Sequence, residues 1–286
     1  MGNEKNDVNG YDPETDAKNA YSEVKKRLKD NSIAQDALEF LEHDEYIQGL
    51  IDHANNVAIN RFHYNDHGLT HSRIATRNAL TILELLNKKG IQPNTVREMT
   101  GTYEDAQLVV LVATYLHDVG NGIHREMHYH HGILLLGNVI DALLFRYYQP
   151  RKAARLKASI FECIYTHDEA VPCISIEGGC VTVGDGTDMA NGRARVPFSK
   201  GKVDIHSVSA LAIKKVKIRE GVEKPVRIEI EMTCSAGLFQ IQEVLGPKIR
   251  TSGIENYLEV IGTVEAKERE RFFEKIEFEK NVAYRH

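Results

Sequence analysis

His117 and Asp118 stand side by side at the end of an almost unbroken apolar run, Leu108 to Leu116, and this placement constrains the chain more than any other feature. An imidazole and a carboxylate buried in such surroundings are costly unless they are paired or ligated. On periodicity alone the run, rich in β-branched residues, reads as a strand. With Glu104-Asp105-Ala106-Gln107 in front of it, however, the segment is long enough for three turns of a helix buried on all sides. Such a helix carries both side chains to the middle of the molecule. Where the chain turns, adjacent His and Asp can hold one metal ion together. Further candidates for the same cavity flank the pair in order: His71 upstream, then His128, His167 and Asp185 downstream.

The rest of the chain reads as a soluble two-part protein. A length of 286 residues at 42% hydrophobic supports one large core, or a core with a smaller satellite, and the second is the expectation. The net charge of −5 argues against nucleic-acid binding, which wants a basic footprint. No run of 18 apolar residues occurs, and Met1-Gly2-Asn3-Glu4-Lys5-Asn6 is neither a signal peptide nor a myristoylation site, so a cytoplasmic protein without a membrane partner is expected. Cys163, Cys173, Cys180 and Cys234 form no Cys-x-x-Cys and read as reduced thiols.

Along the chain, residues 1–12 have almost nothing to bury and read as a flexible tail. Asp12-Pro13 opens a helix, and helices are expected over about 13–29, 32–42 and 44–60, with Ser32 as a second cap. His43 and His53 fall here as ordinary histidines. From Thr70 to Lys89, apolar residues recur at helical spacing and Gly90 supplies a left-handed stop. His67 then lies four residues before His71, either as a ligand of an extra ion or as a hydrogen-bonding partner behind the ligands, the second being favoured. Four histidines crowd His124 to His131; on a helix His124, His128 and His131 share a face, and His130 and His131 are expected in solvent. A helix over about 151–167 ends at His167. Ile174 to Val183, with Gly178-Gly179, reads as a loop followed by a last helix whose end holds Asp185 and Asp188 on one face.

Near Pro197 the texture changes. Val203 to Ile218 and Val226 to Met232 alternate as half-buried strands do, Ser235 to Lys248 reads as a helix, and Ile254 to Val264 adds a strand or a helix with a strand. Lys200 to Arg227 carries eight basic residues against three acids, a solvated strand face or, less simply, a patch for an anionic effector or a second subunit. Glu265 to Lys280 reads as a tail docking by its phenylalanines. The fold class expected is mainly α, a helical bundle over 13–198 followed by a small α+β domain over 199–286, which leaves room for a homo-oligomer through the C-terminal part.

The order His, His-Asp, His, His, Asp resembles the HD superfamily of metal-dependent phosphohydrolases over roughly 65–195. Within it, the chain is similar to a branch of uncharacterised proteins from archaea and some bacteria. Shared features are Tyr64-Asn65-Asp66-His67-Gly68, Asn121 after the His-Asp pair, and Asp185-Gly186-Thr187-Asp188-Met189 with Gly192-Arg193. Further likeness lies at Ile205-His206-Ser207-Val208-Ser209 and Ser235 to Gln240. The resemblance implies an HD-domain bundle with His71, His117, Asp118 and Asp185 at a first ion and His128 and His167 at a second, bridged by Asp118. His128 is chosen among its neighbours because it stands four residues before Gly132, as HD ligands do.

One or two divalent ions, Mn²⁺, Fe²⁺, Mg²⁺ or Zn²⁺, suit these N and O donors. Two ions about 3.5–4 Å apart activate water and neutralise phosphoryl charge. His124, Arg125 and Arg193 are candidates for contact with phosphate, the first two also for proton transfer, with Asn121 where related enzymes carry a phosphate-binding Lys. Asp188 either orients a ligand or pairs with Arg193. The expected activity is metal-dependent hydrolysis of a small phosphate ester, a nucleotide or phosphodiester. A di-iron oxygenase and a nucleotide-sensing module without turnover are the alternatives. The Gly-Tyr-Pro signature of the cyclic-dinucleotide branch is absent.

Overall fold

The structure, a computed structural model, describes residues 13–189 and 205–264. The expectations for residues 1–12, for Arg193 and for the aromatic tail after Val264 lie outside these described residues. The described part is mainly helical, with a three-stranded sheet near the C-terminal end.

The helices are α1 (Pro13–Arg27), α2 (Ser32–His43), α3 (Glu45–Asn60), α4 (Leu69–Lys88), the short α5 (Asn94–Arg97), α6 (Tyr103–Leu116), α7 (His128–Leu144), α8 (Pro150–Thr166) and α9 (Ile176–Gly186). Their ends have local causes. Asn31, one residue before the expected Ser32, caps α2: its side-chain oxygen accepts from Ala34 N at 3.1 Å, while its amide donates to Glu104 O and Gln107 Oε1 and ties α2 to α6. Asp44 caps α3 in the same way. Gly90 ends α4 with φ +79°, the left-handed residue expected there. A reciprocal capping box, Thr102 with Asp105, starts α6 and settles strand against helix for the apolar run. From Leu108 to Leu116 every α6 residue is buried, so this helix is the axis of the bundle.

Gly178 and Gly179 were expected in a loop but lie in the first turns of α9, whose cap is Ser175. Glycine costs a helix roughly 1 kcal/mol against alanine. Here that cost allows close approach. A Cβ on Gly179 would meet Ser252 O at 2.5 Å, and one on Gly184 would meet Ala79 N at 2.7 Å and Ala79 Cα at 2.8 Å. The backbone of α9 thus lies directly against that of α4.

The C-terminal part runs through α10 (Ile205–Leu211), β1 (Ile213–Glu220), β2 (Val226–Met232), α11 (Leu238–Gln240), a π-helical turn (Ile241–Leu245), α12 (Gly246–Thr251) and β3 (Leu258–Val264). Two readings are corrected here. Residues 205–211 are helical instead of part of a strand, with the Ser209 hydroxyl donating to Ile205 O and receiving Gln240 Nε2 at 2.9 Å. The helix expected over 235–248 is broken by a 3-10 turn and the π turn, and a straight amphipathic pattern does not reveal such breaks. β2 is central, antiparallel to β1 and parallel to β3, with Val226, Ile228, Ile230 and Met232 buried. A parallel neighbour requires a crossover, and the segment with α11 and α12 is that crossover. It packs on α9. One apolar cluster includes α6, α9, the sheet face, Leu245 and Ile249, so the core continues from bundle to sheet.

On the sheet the basic surplus is met by acids across the strands: Lys217 with Glu231, Arg219 Nε to Glu229 Oε2 at 3.3 Å, and Arg227 Nε to Glu259 Oε1 at 2.9 Å. No helix among the described residues is long and apolar enough to cross a membrane.

Candidate metal centre

The end of α6 delivers His117 and Asp118 into the bundle, where a 3-10 turn over Val119–Gly122 follows. Gly120 in that turn is indispensable to the geometry, because any Cβ would overlap His128 O and Gly132 N. The close approach of two backbones brings the His-Asp pair to the start of α7. The first turn of α4 supplies His71, the end of α8 supplies His167, and the last turn of α9 supplies Asp185. All five segments that carry the expected ligands meet.

Two clusters of donor atoms result. In the first, His71 Nε2 lies 3.2 Å from His117 Nε2, 3.2 Å from Asp185 Oδ1 and 3.4 Å from Asp118 Oδ2. His117 Nε2 is 3.2 Å from Asp118 Oδ2 and 3.5 Å from Asp185 Oδ1. Ligand atoms about 2.0–2.2 Å from one ion, at octahedral to tetrahedral angles, are about 3.0–3.5 Å apart. The observed edges fit that. In the second cluster the other oxygen of Asp118, Oδ1, faces His128 Nε2 at 3.5 Å and His167 Nε2 at 4.0 Å, and those two nitrogens are 2.8 Å apart. Asp118 stands between the clusters with one oxygen in each.

The tautomers are fixed from behind. His117 Nδ1 donates to Thr114 O at 2.6 Å, His167 Nδ1 to Ile164 O at 2.6 Å and His128 Nδ1 to Arg125 O at 3.1 Å. A carbonyl oxygen can only accept, so each Nδ1 carries hydrogen and each Nε2 is left to the cavity. His71 Nδ1 is 2.7 Å from Asp188 Oδ2, which holds that ring in the same way. Asp188 lies just past the end of α9, not on its face, and takes the orienting role.

The electrostatics follow from burial and from these neighbours. Burial would raise the carboxyls of Asp118 and Asp185, yet Asp118 is held well below the usual range by His117 and His67, and Asp185 by Lys248 and His117. Burial lowers His117, but Asp118 and Asp185 more than offset it and lift the imidazole to about 9. Burial, with Arg125 beside it, depresses His128 to about 3, and burial with the neighbouring His117 depresses His167. Two neutral imidazoles and two ionised carboxylates are the protonation states that a divalent cation needs. These imidazoles and carboxylates, without thiolate, include groups of donors close enough to hold a metal ion, among them His71, His117 and Asp185, and His117, Asp118 and His167.

The remaining sequence candidates fall unevenly. Asn121, expected to contact phosphate, is buried, donates to Asp118 Oδ1 at 2.8 Å and accepts from Arg125 Nη1 at 3.3 Å, so it positions the shared carboxylate. Arg125 Nη1 lies 3.1 Å from His128 Nε2, and its guanidinium is 5.9 Å from the Tyr64 ring centre. His124 does not share a helical face with His128 and His131, because left-handed Met127 (φ 56°) separates it from α7. Its ring meets Phe62 edge-on at 5.3 Å and it lies on the exposed rim. His130 is exposed and His131 half-buried. His67 Nδ1 is 2.7 Å from Asp118 Oδ2, a hydrogen-bond distance, and His67, His71 and Asp118 also form a group of donors close enough to hold an ion, so both readings of His67 stand.

Sequence reasoning missed Lys248. Its Nζ lies 2.8 Å from Asp185 Oδ2 and donates to His167 O at 2.8 Å, with Glu169 Oε2 at 3.8 Å. Nothing in Gly246-Pro247-Lys248 signals a site, since a lone lysine near a helix end usually serves the helix dipole.

Among known proteins, the chain is 45% identical over 221 residues to the uncharacterised protein MJ1020 of Methanocaldococcus jannaschii, which spans 77% of this chain and 85% of that protein. The chain belongs to the MJ1020 family. No protein-family profile and no solved structure matches it.

Proposed function

We propose that the protein is a metal-dependent phosphohydrolase of HD type, acting on a small phosphate ester that carries an aromatic group, as a nucleotide does. The observation that carries the proposal is the division of Asp118, one oxygen to the His71, His117 and Asp185 donors and the other toward His128 and His167. This arrangement suits a pair of divalent ions sharing one carboxylate, the first on His71, His117, Asp118 and Asp185, the second on Asp118, His128 and His167. Bound there, the ions would acidify water and neutralise charge on phosphoryl oxygens. The chain's own residues do the rest. His67 and Asn121 each engage one oxygen of Asp118 and so fix the orientation of its carboxylate. Arg125, beside His128 and partly exposed, supplies the cation that meets a phosphate at the rim. Tyr64, Phe62 and His124 form an aromatic edge next to that arginine, the surroundings that a planar base stacks in. Arg125 is what favours an anionic substrate such as a phosphate ester.

The test is release of phosphate or p-nitrophenol from nucleotides and generic phosphodiesters with Mn²⁺, Fe²⁺, Mg²⁺ or Zn²⁺ supplied, set beside His117→Ala and Asp118→Ala. Hydrolysis is expected in the wild type and is lost in both variants while helical content is kept. Full activity in either variant refutes the mechanism. Metal uptake with oxygen consumption and no hydrolysis assigns the centre to oxidation instead, and metal uptake with neither assigns it to sensing.

A further inference from the structure

We infer that Lys248, carried by the C-terminal α+β part, is a positioning residue of the metal centre that confines Asp185 to one ligand oxygen and so tunes which ion the centre prefers. The inference rests on the metal-centre reading above.

The two oxygens of Asp185 have different neighbours. Oδ1 faces His71 Nε2 and His117 Nε2 at 3.2 and 3.5 Å, while Oδ2 is held by Lys248 Nζ at 2.8 Å. The same ammonium donates to His167 O, so one lysine joins the α8 and α9 ligand segments. A buried ammonium is costly unless fully paired, and this one has three oxygens around it. The passage for its stem is built in. A Cβ on Gly186 would meet Lys248 Cδ at 2.8 Å and Leu245 Cδ1 at 3.3 Å. Glycine at 184 therefore serves the contact with α4, and glycine at 186 serves the lysine, with the ligand Asp185 between them.

With Oδ2 occupied, Asp185 acts as a one-oxygen ligand, which suits ions of six or fewer ligands at short range. Ca²⁺ prefers more oxygens and takes carboxylates in bidentate fashion. Removing the ammonium frees Oδ2 and favours the larger ion. Changes behind a ligand typically alter metal affinity by about 10–100-fold.

The experiment titrates Mn²⁺ and Ca²⁺ into the full-length wild type, Lys248→Met and Gly186→Ala, with circular dichroism as the check on folding. The ratio of the two dissociation constants is expected to move toward Ca²⁺ by about tenfold in Lys248→Met. It should move the same way in Gly186→Ala, which displaces the stem without removing the charge. A lysine that only fastens the C-terminal part would weaken both ions alike and leave the ratio unchanged, and that result overturns the inference. The wild type gives a reading that depends on no variant. Its infrared difference on Mn²⁺ binding should show the wide carboxylate splitting of one-oxygen ligation, and a narrow splitting alone overturns the role of Lys248. If the wild type takes up neither ion, the metal-centre reading falls and the inference with it. If it binds Mn²⁺ and the ratio stays fixed, only the inference falls.

Discussion

Alanine at Gly184 and alanine at Gly137 differ only in what the new methyl group meets, and the pair measures how tightly α9 is pressed against α4. At Gly184 the methyl would lie 2.6 Å from Ala79 Cβ, 2.7 Å from Ala79 N and 2.8 Å from Ala79 Cα. Carbon atoms rest at about 3.5–4.0 Å, so the two helices must part by roughly 1 Å. Backbone atoms cannot rotate out of the way. Overpacking costs about 1–3 kcal/mol, and removing a helix-interior glycine returns about 1 kcal/mol. The net expectation is a loss of up to about 2 kcal/mol for Gly184→Ala. At Gly137, inside α7, nothing lies within 4 Å of the added Cβ, so the same exchange should gain up to about 1 kcal/mol. Urea denaturation of the two variants beside the wild type should move the midpoint in opposite directions. Because Asp185 adjoins Gly184 and His71 sits on α4, Gly184→Ala should also weaken metal uptake while Gly137→Ala leaves it alone. If Gly184→Ala stabilises as much as Gly137→Ala, the close packing inferred for α9 is wrong.

Metal uptake should release protons: His117, lifted to about 9 in the metal-free protein, must lose its Nε2 proton for an ion to take the place between Asp118 and Asp185. Affinity is therefore expected to rise about tenfold per pH unit between pH 7 and about 9 and then to level off, with close to one proton appearing in an indicator dye per ion bound at the first cluster. Release of none refutes the assignment. In the hydrolysis assay, Arg125→Ala should lower turnover of all phosphate substrates. Tyr64→Ala should raise KM for nucleotides while sparing alkyl phosphates, and equal effects of Tyr64→Ala on both would remove the stacking role.

Much of the helical layout was legible because its signals are local. Apolar spacing marks α4, Gly90 marks its end, and the length of the run before His117 separates helix from strand. His71, His117, Asp118, His128, His167 and Asp185 were legible as a set through the HD resemblance, and the structure brings all six together. What stayed hidden depends on tertiary contact. Gly178-Gly179 looked like a loop because only tertiary neighbours, Glu162 and Thr166 beside Gly178 and Ser252 and Ile254 beside Gly179, explain glycine inside a helix there. His124 looked like a partner of His128 because no residue type announces that Met127 will turn left-handed. Asn121 looked available to phosphate until its amide proved to be engaged with Asp118 and Arg125. Lys248 lies 63 positions after the Asp185 it pairs with, a separation over which spacing rules say nothing.

Three of the four imidazoles that converge here are tied to the carbonyl three residues earlier in their own chain. Their orientation is therefore inherited from a single turn of main chain, which every residue type shares, and not from side chains that substitution could remove. The pocket is aimed before any ion arrives. On the proposed metal centre, exchange of one divalent cation for another would then take place within a standing frame, with no need for the surrounding helices to melt and re-form.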